Sequence, residues 1–232
     1  GEGADELMGG YGRIYRAPFD YANENTNETF YDYFISKYDY VPRHMRDQLI
    51  NTPRNYRKEF DEEIRSSFDK SSNEESVFKF FHKYHVKGLL QRVDMTTMQT
   101  SVEARVPFLD HNLIEFSYNN IPYDLKLRWI SEEAKNQAKS MNSSQYSETL
   151  DTPKYLLRKL SYNYLPKEIV ERKKIGFPVP LTEWFDNLES LAKELLPNAD
   201  WLKEGVVNDL IKKSKTESRA GQILWMFINI EL

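Results

Sequence analysis

The chain opens Gly1-Glu2-Gly3-Ala4-Asp5-Glu6, three carboxylates set among glycines. Carboxylates crowded onto a loop with close backbone access suit two tasks: taking a proton from a reacting group, and holding magnesium, which requires oxygen ligands. The competing reading is an acidic helix N-terminus, favoured by the helix dipole. The segment lacks the Gly-Lys-Ser/Thr ending of a Walker phosphate loop. A second charged stretch runs from Arg92-Val93-Asp94 through Ser101-Val102-Glu103-Ala104-Arg105-Val106-Pro107-Phe108-Leu109-Asp110. Asp94, Glu103 and Arg105 are of the types that bind an amino acid's ammonium and carboxylate, or that pair internally. A third stretch, Arg172-Lys173-Lys174-Ile175-Gly176-Phe177-Pro178, puts lysines in a glycine-proline loop. An ammonium fixed there but reaching into a cleft neutralises phosphate charge as it develops; a surface lysine is the alternative.

Smaller candidates have plainer explanations. His82 and His85 stand three apart on one helix face, a metal-pair spacing without a third ligand in view. Tyr11, Arg13, Tyr15 and Arg16 are able to stack on a nucleotide or to form a helix packing edge. The stripe Trp225-Met226-Phe227 reads as core.

The elements that must position these residues read as helices. Phe30, Phe34, Ile35 and Tyr38 recur at helical spacing, and Pro42 ends that stretch. Ser72 with Glu75 reads as a capping box opening the longest periodic run. Val77, Phe81, Tyr84, Leu89, Leu90, Val93 and Met98 fit one apolar face of it, with Pro107 as its stop. A shorter helix after Asp110 carries Leu113, Ile114 and Phe116. Thr152-Pro153 predicts an N-cap and first helical position for a helix over Lys154 to Leu165, and Pro166 opens another short turn. Leu181 to Leu232 reads as three or four short helices. Ser140 to Thr149 holds four serines with little apolar content and is expected as an exposed loop. Thr152 to Pro178 carries seven basic residues (Lys154, Arg158, Lys159, Lys167, Arg172, Lys173, Lys174) against Glu168 and Glu171, a local excess that suits an anion or a solvated helix face. No alternating strand pattern stands out, so the fold class is mainly α.

The composition of the 232 residues excludes several classes. With 40% hydrophobic and 14% aromatic residues the chain can bury a core, so it is not a disordered segment. Without cysteine it has no disulfide framework, thiolate zinc site or cysteine nucleophile. A net charge of −4 gives no overall attraction to nucleic acid or to an anionic membrane. The longest apolar run, Ile223 to Ile228, is far short of the roughly 20 residues of a membrane span. No signal segment stands at the start, and a soluble, cytoplasmic protein is expected. Five of the nine glycines fall within the first twelve residues, as expected of a functional loop cut from its preceding element.

Three runs together resemble the synthetase domain of glutamine-hydrolysing asparagine synthetases. They are Gly1-Glu2-Gly3-Ala4-Asp5-Glu6 with Gly9-Gly10-Tyr11, Val102 through Asp110, and Leu165-Pro166 followed by Arg172, Lys174, Gly176-Phe177 and Pro180-Leu181. They occur in order and span Gly1 to Leu181. The resemblance implies that ATP adenylates the side-chain carboxylate of aspartate, releasing pyrophosphate, and that glutamine-derived ammonia then displaces AMP to give asparagine. By that resemblance Glu2 is the base toward ammonia, Asp5 holds Mg2+ on the ATP phosphates, Lys174 stabilises the adenylation transition state, and Asp94 is an aspartate-binding residue. Relatives that close a β-lactam ring carry a tyrosine where Glu2 stands.

The resemblance also implies what lies elsewhere. The family's pyrophosphate loop, Ser-Gly-Gly-x-Asp-Ser, is absent from the sequence. It is expected upstream of Gly1, together with the parallel sheet that binds adenine and the glutaminase domain with its cysteine nucleophile. Residues 1–232 are then the helical, carboxy-terminal remainder of one adenine-nucleotide α-hydrolase-like (pyrophosphate-loop) α/β domain, inactive by itself. Its uncovered face is expected to permit self-association, including homo-oligomers. The stretch around Ser140 reads as an insertion. Two alternatives stand beside this one: the same adenylation chemistry on another carboxylate, such as a surface polysaccharide or peptide, and a non-catalytic helical module.

Overall fold

The computed structural model describes residues 2–24, 26–51, 58–172 and 185–232. They are mainly helical, as the sequence predicts, and fall into two compact units: Gly1–Tyr38 with Glu59–Arg172, and Asp39–Lys58 with Lys173–Leu232.

The first unit is built on aromatic packing. Helix Phe30–Tyr38 buries Phe30, Tyr31, Tyr33, Phe34 and Ile35. Its rings meet those of helix Asn73–Phe80 edge to face, with Phe34 and Tyr38 lying 5.0 and 4.6 Å from Phe80. This is the geometry the ring quadrupole favours. Ser72 caps helix Asn73–Phe80 by accepting from the Glu75 N–H, but the Glu75 carboxylate turns to Lys79 at 2.7 Å, so the structure records one half of the expected capping box.

The long periodic run is not one uniform helix. After Phe80 a π-helical turn, Phe81–His85, leads into helix Val86–Met98. A π turn shifts the side-chain register of everything beyond it. Val77 and Phe81 before the shift are buried; Leu89, Leu90 and Val93 beyond it are half-buried, and Met98 is exposed. The helix also stops at Met98, well before Pro107, and Ser101 takes a left-handed φ of 57° in the turn that follows. Helix His111–Asn120 begins where expected, with the Asp110 carboxylate accepting from the N–H groups of Asn112 and Leu113.

Two expectations are corrected between Ser140 and Leu165. Residues 140–149 are not simply an exposed loop. Asn142 and Gln145 form a complete capping box on the short helix Ser143–Tyr146, and Tyr146 is fully buried, its hydroxyl donating to Asp20. Asp151–Pro153 is a strand, paired antiparallel with Leu127–Trp129, rather than a helix start. The following helix is Tyr155–Ser161, and Lys154 precedes it with a left-handed φ of 52°. A distant residue decides this. Arg16 Nε lies 2.8 Å from Asp151 Oδ2, its Nη2 donates to the Leu127 carbonyl, and its guanidinium stacks 3.7 Å from the Trp129 ring centre. That clamp holds both strands. Arg16 and Tyr15 are therefore core residues, not nucleotide-facing ones.

The second unit is aliphatic. Helices Arg43–Leu49, Phe185–Leu195, Val206–Ser214 and Ser218–Glu231 enclose a cluster that includes Leu49, Leu188, Leu196, Leu210, Ile223, Leu224 and Ile228. Of the expected stripe, Phe227 is buried, Trp225 packs against the cluster from a half-buried position, and Met226 is exposed. Among the described residues no helix is long and apolar enough to cross a membrane.

Candidate active site

The acidic opening segment lies in the first unit. Helix Ala4–Met8 begins after Gly3, with Asp5 and Glu6 in its first turn, so the helix-start reading of these carboxylates holds as local structure. It does not exclude a chemical role, because the three carboxylates have different surroundings. Glu2 is partly exposed and meets Arg92 of helix Val86–Met98 at 3.3 Å. Asp5 is partly exposed and meets the Lys154 ammonium at 3.0 Å. Glu6 is turned inward and is 2% exposed; it accepts from the Tyr11 hydroxyl at 2.8 Å and lies 3.9 Å from His85 Nε2.

Glycine makes this arrangement possible at two places. A Cβ at Gly10 would fall 1.8 Å from Asp5 Oδ1, so any larger residue would push the carboxylate away. A Cβ at Gly3, whose φ is 92°, would fall 2.5 Å from Leu109 Cγ. Leu109 belongs to the Val102–Asp110 run, so two of the three sequence motifs pack directly on each other through that glycine.

The inner network is polar but closed. Burial and the Glu6 carboxylate push the Tyr11 phenol far above its ordinary pKa, and burial lowers that of His85. His85 Nδ1 sits 2.9 Å from the Tyr38 hydroxyl, and its ring packs against Phe81. The His82 ring lies near Tyr118. These histidines serve packing, and among the described residues no group of three or more His, Asp or Glu side chains is arranged to hold a metal.

The other candidates fall as follows. Asp94 is exposed on helix Val86–Met98, and its carboxylate has no partner among the described residues. Two positions beyond Arg92, it lies on roughly the opposite side of the helix, so the structure brings Arg92, not Asp94, to the acidic segment. Glu103 and Arg105 pair with each other at 2.7 Å on the surface. Lys174, with the loop from Lys173 to Pro180, lies outside the described residues. Sequence reasoning gave Arg92 no role and Lys154 only a share in a basic stretch suited to an anion or to a solvated helix face. Both stood in view within charged stretches, but only tertiary contact pairs them with Glu2 and Asp5. In the second unit a cavity of about 420 Å³ lies between Met45, Leu49, Val206, Leu210 and Ile223, and no motif residue lines it.

The donor set fits a hard cation. Magnesium binds through one or two carboxylates and takes its remaining ligands from water and phosphate. Asp5 offers an oxygen to which a cationic group is already drawn, and the missing side chain at Gly10 leaves the space that this carboxylate itself fills.

The first unit thus carries a glycine-lined acidic turn faced by two cationic side chains, Arg92 and Lys154. The asparagine synthase profile matches residues 1–231, and the chain belongs to that family. It is similar to glutamine-hydrolysing asparagine synthetase 1 of Bacillus subtilis, with 30% identity over 219 residues covering 81% of this chain and 31% of that protein. It is also similar to synthetase 3 of that organism, 27% identical over 213 residues covering 84% and 30%. Over 91 residues, 39% of this chain and 11% of the relative, it is 35% identical to amidase chyE of Penicillium rubens. The chain thus spans about a third of the length of the synthetases it matches. No solved structure matches it significantly.

Proposed function

We propose that the chain is the carboxy-terminal part of the synthetase domain of an ATP-dependent, AMP-forming amide ligase that makes asparagine. It works with a pyrophosphate loop, a nucleotide-binding sheet and a glutaminase domain elsewhere in the protein, in the cytoplasm. The reading is carried by the placement of Glu2, just before helix Ala4–Met8, and Asp5, in its first turn, partly exposed and each facing its own cation, in a chain matching the family from residue 1 to 231. The aspartate side-chain carboxylate attacks the α-phosphorus of ATP, pyrophosphate leaves, and the β-aspartyl-adenylate forms. Ammonia then attacks the acyl carbon, and AMP departs with the phosphate oxygen. Glu2 takes the proton that the nitrogen sheds; its half-open setting leaves it accessible, and Arg92, 3.3 Å away, aims it. Lys174 offsets the charge that develops during adenylation. Asp94 stays a candidate for the ammonium of the acceptor amino acid on the resemblance alone, since it lies on the other side of its helix from Arg92. Magnesium held at Asp5 would draw together the phosphate oxygens and stabilise the leaving pyrophosphate.

The test is pyrophosphate release by the full-length protein with ATP and magnesium, across a panel of carboxylates and with glutamine or ammonia as nitrogen donor. Release with aspartate, followed by asparagine, is expected. Release with another carboxylate alone would move the substrate and keep the mechanism, an outcome the amidase relative makes worth including. No release with any would favour the non-catalytic module. Glu2→Gln should cut amide formation by about a hundredfold or more, the usual contribution of a general base, while pyrophosphate release falls much less. Equal losses in both would remove Glu2 from that role.

A further inference from the structure

We propose that the cavity of the second unit is a binding site for a small organic ammonium, an apolar body carrying one cationic head. It stands apart from the ligase reading, since none of the residues given a role there lines it.

The cavity follows from the helix pattern. Helix Arg43–Leu49 turns Met45, Gln48 and Leu49 to it, and helix Val206–Ser214 turns Val206, Asp209, Leu210 and Lys213. In each helix these residues are three or four apart and share one face. Ala220 and Ile223 of helix Ser218–Glu231 complete the apolar part. Apart from half-buried Met45, the apolar members are buried and form a floor; the charged members are exposed and form a rim. A space of about 420 Å³ between helices, apolar within and polar at its mouth, has the size and make-up of small-molecule sites.

The wall made by helix Arg43–Leu49 is tied at both ends. Before the helix, the Tyr40 carbonyl accepts from the Arg219 guanidinium, which lies 5.6 Å from the Tyr40 ring centre. After it, Ile50 bridges Leu202, and the Leu49 carbonyl accepts from the Lys203 N–H at 3.0 Å. The Asn51 amide donates to the carbonyls of Asp200 and Leu202 at 3.1 and 2.9 Å. Met45, Gln48 and Leu49 lie between these ties, so the gap beside them is held by contacts on either side of it. Such a space exists before a ligand arrives, and little ordering opposes binding.

Charge selects the head. Three carboxylates, Glu204, Asp209 and Glu217, stand on the rim against two cations. Both cations are engaged: Lys213 meets Asp209 at 2.7 Å and feels Glu217 as well, and Arg219 is drawn to Tyr40. Glu204 forms no ion pair among the described residues. An ammonium at the mouth gains that carboxylate while its body covers the floor. An anion there meets a rim whose cations are already occupied. Removing the apolar body from water supplies the affinity, and the carboxylates choose the sign of the head.

The experiment uses the full-length protein with carbon-13 in its methionine methyl groups. The Met45 signal, identified by its loss in Met45→Leu, reports on the cavity wall; Met226, exposed and outside the cavity, is the reference. Hexylammonium, butylammonium, hexanol and hexanoate are titrated separately. Hexylammonium should move the Met45 methyl saturably and leave Met226 in place. Butylammonium should bind about tenfold more weakly, since each buried methylene is worth roughly threefold to fourfold. Hexanol should bind up to about fivefold more weakly than hexylammonium, the size of an exposed charge pair, and hexanoate more weakly still. In the double variant Glu204→Gln with Glu217→Gln, hexylammonium should fall to the affinity of hexanol, and hexanol should keep its own.

Equal binding of hexylammonium and hexanol by the natural protein would overturn the choice of ligand. So would a preference for the ammonium that survives in the double variant. A Met45 methyl that none of the four compounds moves would overturn the site itself.

Discussion

The two units solve the packing problem differently. The second has an interior of Leu, Ile, Ala and Val with one buried ring, Phe227, and the ion pairs Lys193–Glu189 and Lys213–Asp209 join residues four apart on the surface of single helices. The first has an interior of rings threaded by polar groups. Among the described residues every buried polar or charged one belongs to it: Glu6, Arg16, Asp20, Ser76, Ser117, Lys126, Ser143 and Asp151. Burying charge is costly unless it is paired. An interior that carries so much of it has been shaped by something besides stability, and the candidate site is built on that unit. Within helix Ala4–Met8 the same contrast recurs one residue apart: Asp5 faces a cation at the surface, whereas Glu6 is locked under tyrosines.

This comparison is open to direct attack. The largest effect is expected at the Arg16–Asp151 pair. Arg16→Met should cost about 3–5 kcal/mol, because it strands a buried carboxylate, and Asp151→Leu a similar amount. Denaturant unfolding of both singles and the double variant should show a double loss well below the sum, since they report one interaction. Additive losses would show that the two residues stabilise the unit independently. In the second unit the sensitive site is apolar: Leu224→Ala, at a fully buried position, should cost about 2–5 kcal/mol by opening a cavity.

Lys126 is the next test. It is 4% exposed, its ammonium lies over the Phe78 and Tyr118 rings, and burial pushes its pKa down to about 8. The unfolded chain therefore binds a proton that the folded chain does not between pH 8 and the ordinary lysine value. Stability from this group must rise with pH across that window, and the full penalty is present below it. Lys126→Met should stabilise the protein below pH 8, by up to roughly 3 kcal/mol at 1.36 kcal/mol per unit, and should flatten the slope from pH 8 to about 10.5. Comparing melting curves of the two proteins across that range isolates this group from the raised tyrosines. If they run parallel, the lysine is not desolvated as its position requires. The smallest effect is expected at Lys213→Ala in the second unit, where thermal melting should show no measurable change, as for most exposed pairs.

Much of the helical fold was legible because its signals are local. The helix after Asp110 begins where a capping carboxylate stands at the chain's turn, and helix Phe30–Tyr38 follows its apolar spacing. Errors came where long-range contacts overrode local preference. Thr152-Pro153 carries helix-start chemistry, yet Arg16, 135 residues from Asp151 in sequence, draws the segment into a sheet. Ser140 to Thr149 has loop composition, yet Tyr146 anchors it in the core. The π turn at Phe81–His85 leaves no mark in residue periodicity until the buried face is seen to shift.

The sequence by itself determined the helical class, the three motifs and the family they indicate, and the acidic character of the opening turn. Those properties reside in residue type and short-range spacing, which a linear chain displays in full. Only the tertiary structure decided which carboxylate meets which cation among the described residues: Glu2 with Arg92, Asp5 with Lys154, and Glu6 with a half-buried histidine, His85, while it accepts from Tyr11. Charge attraction has no sequence register. It acts across whatever distance folding closes, and the packing of Gly3 on Leu109 and of Arg16 on Asp151 fixes which charges end up near one another.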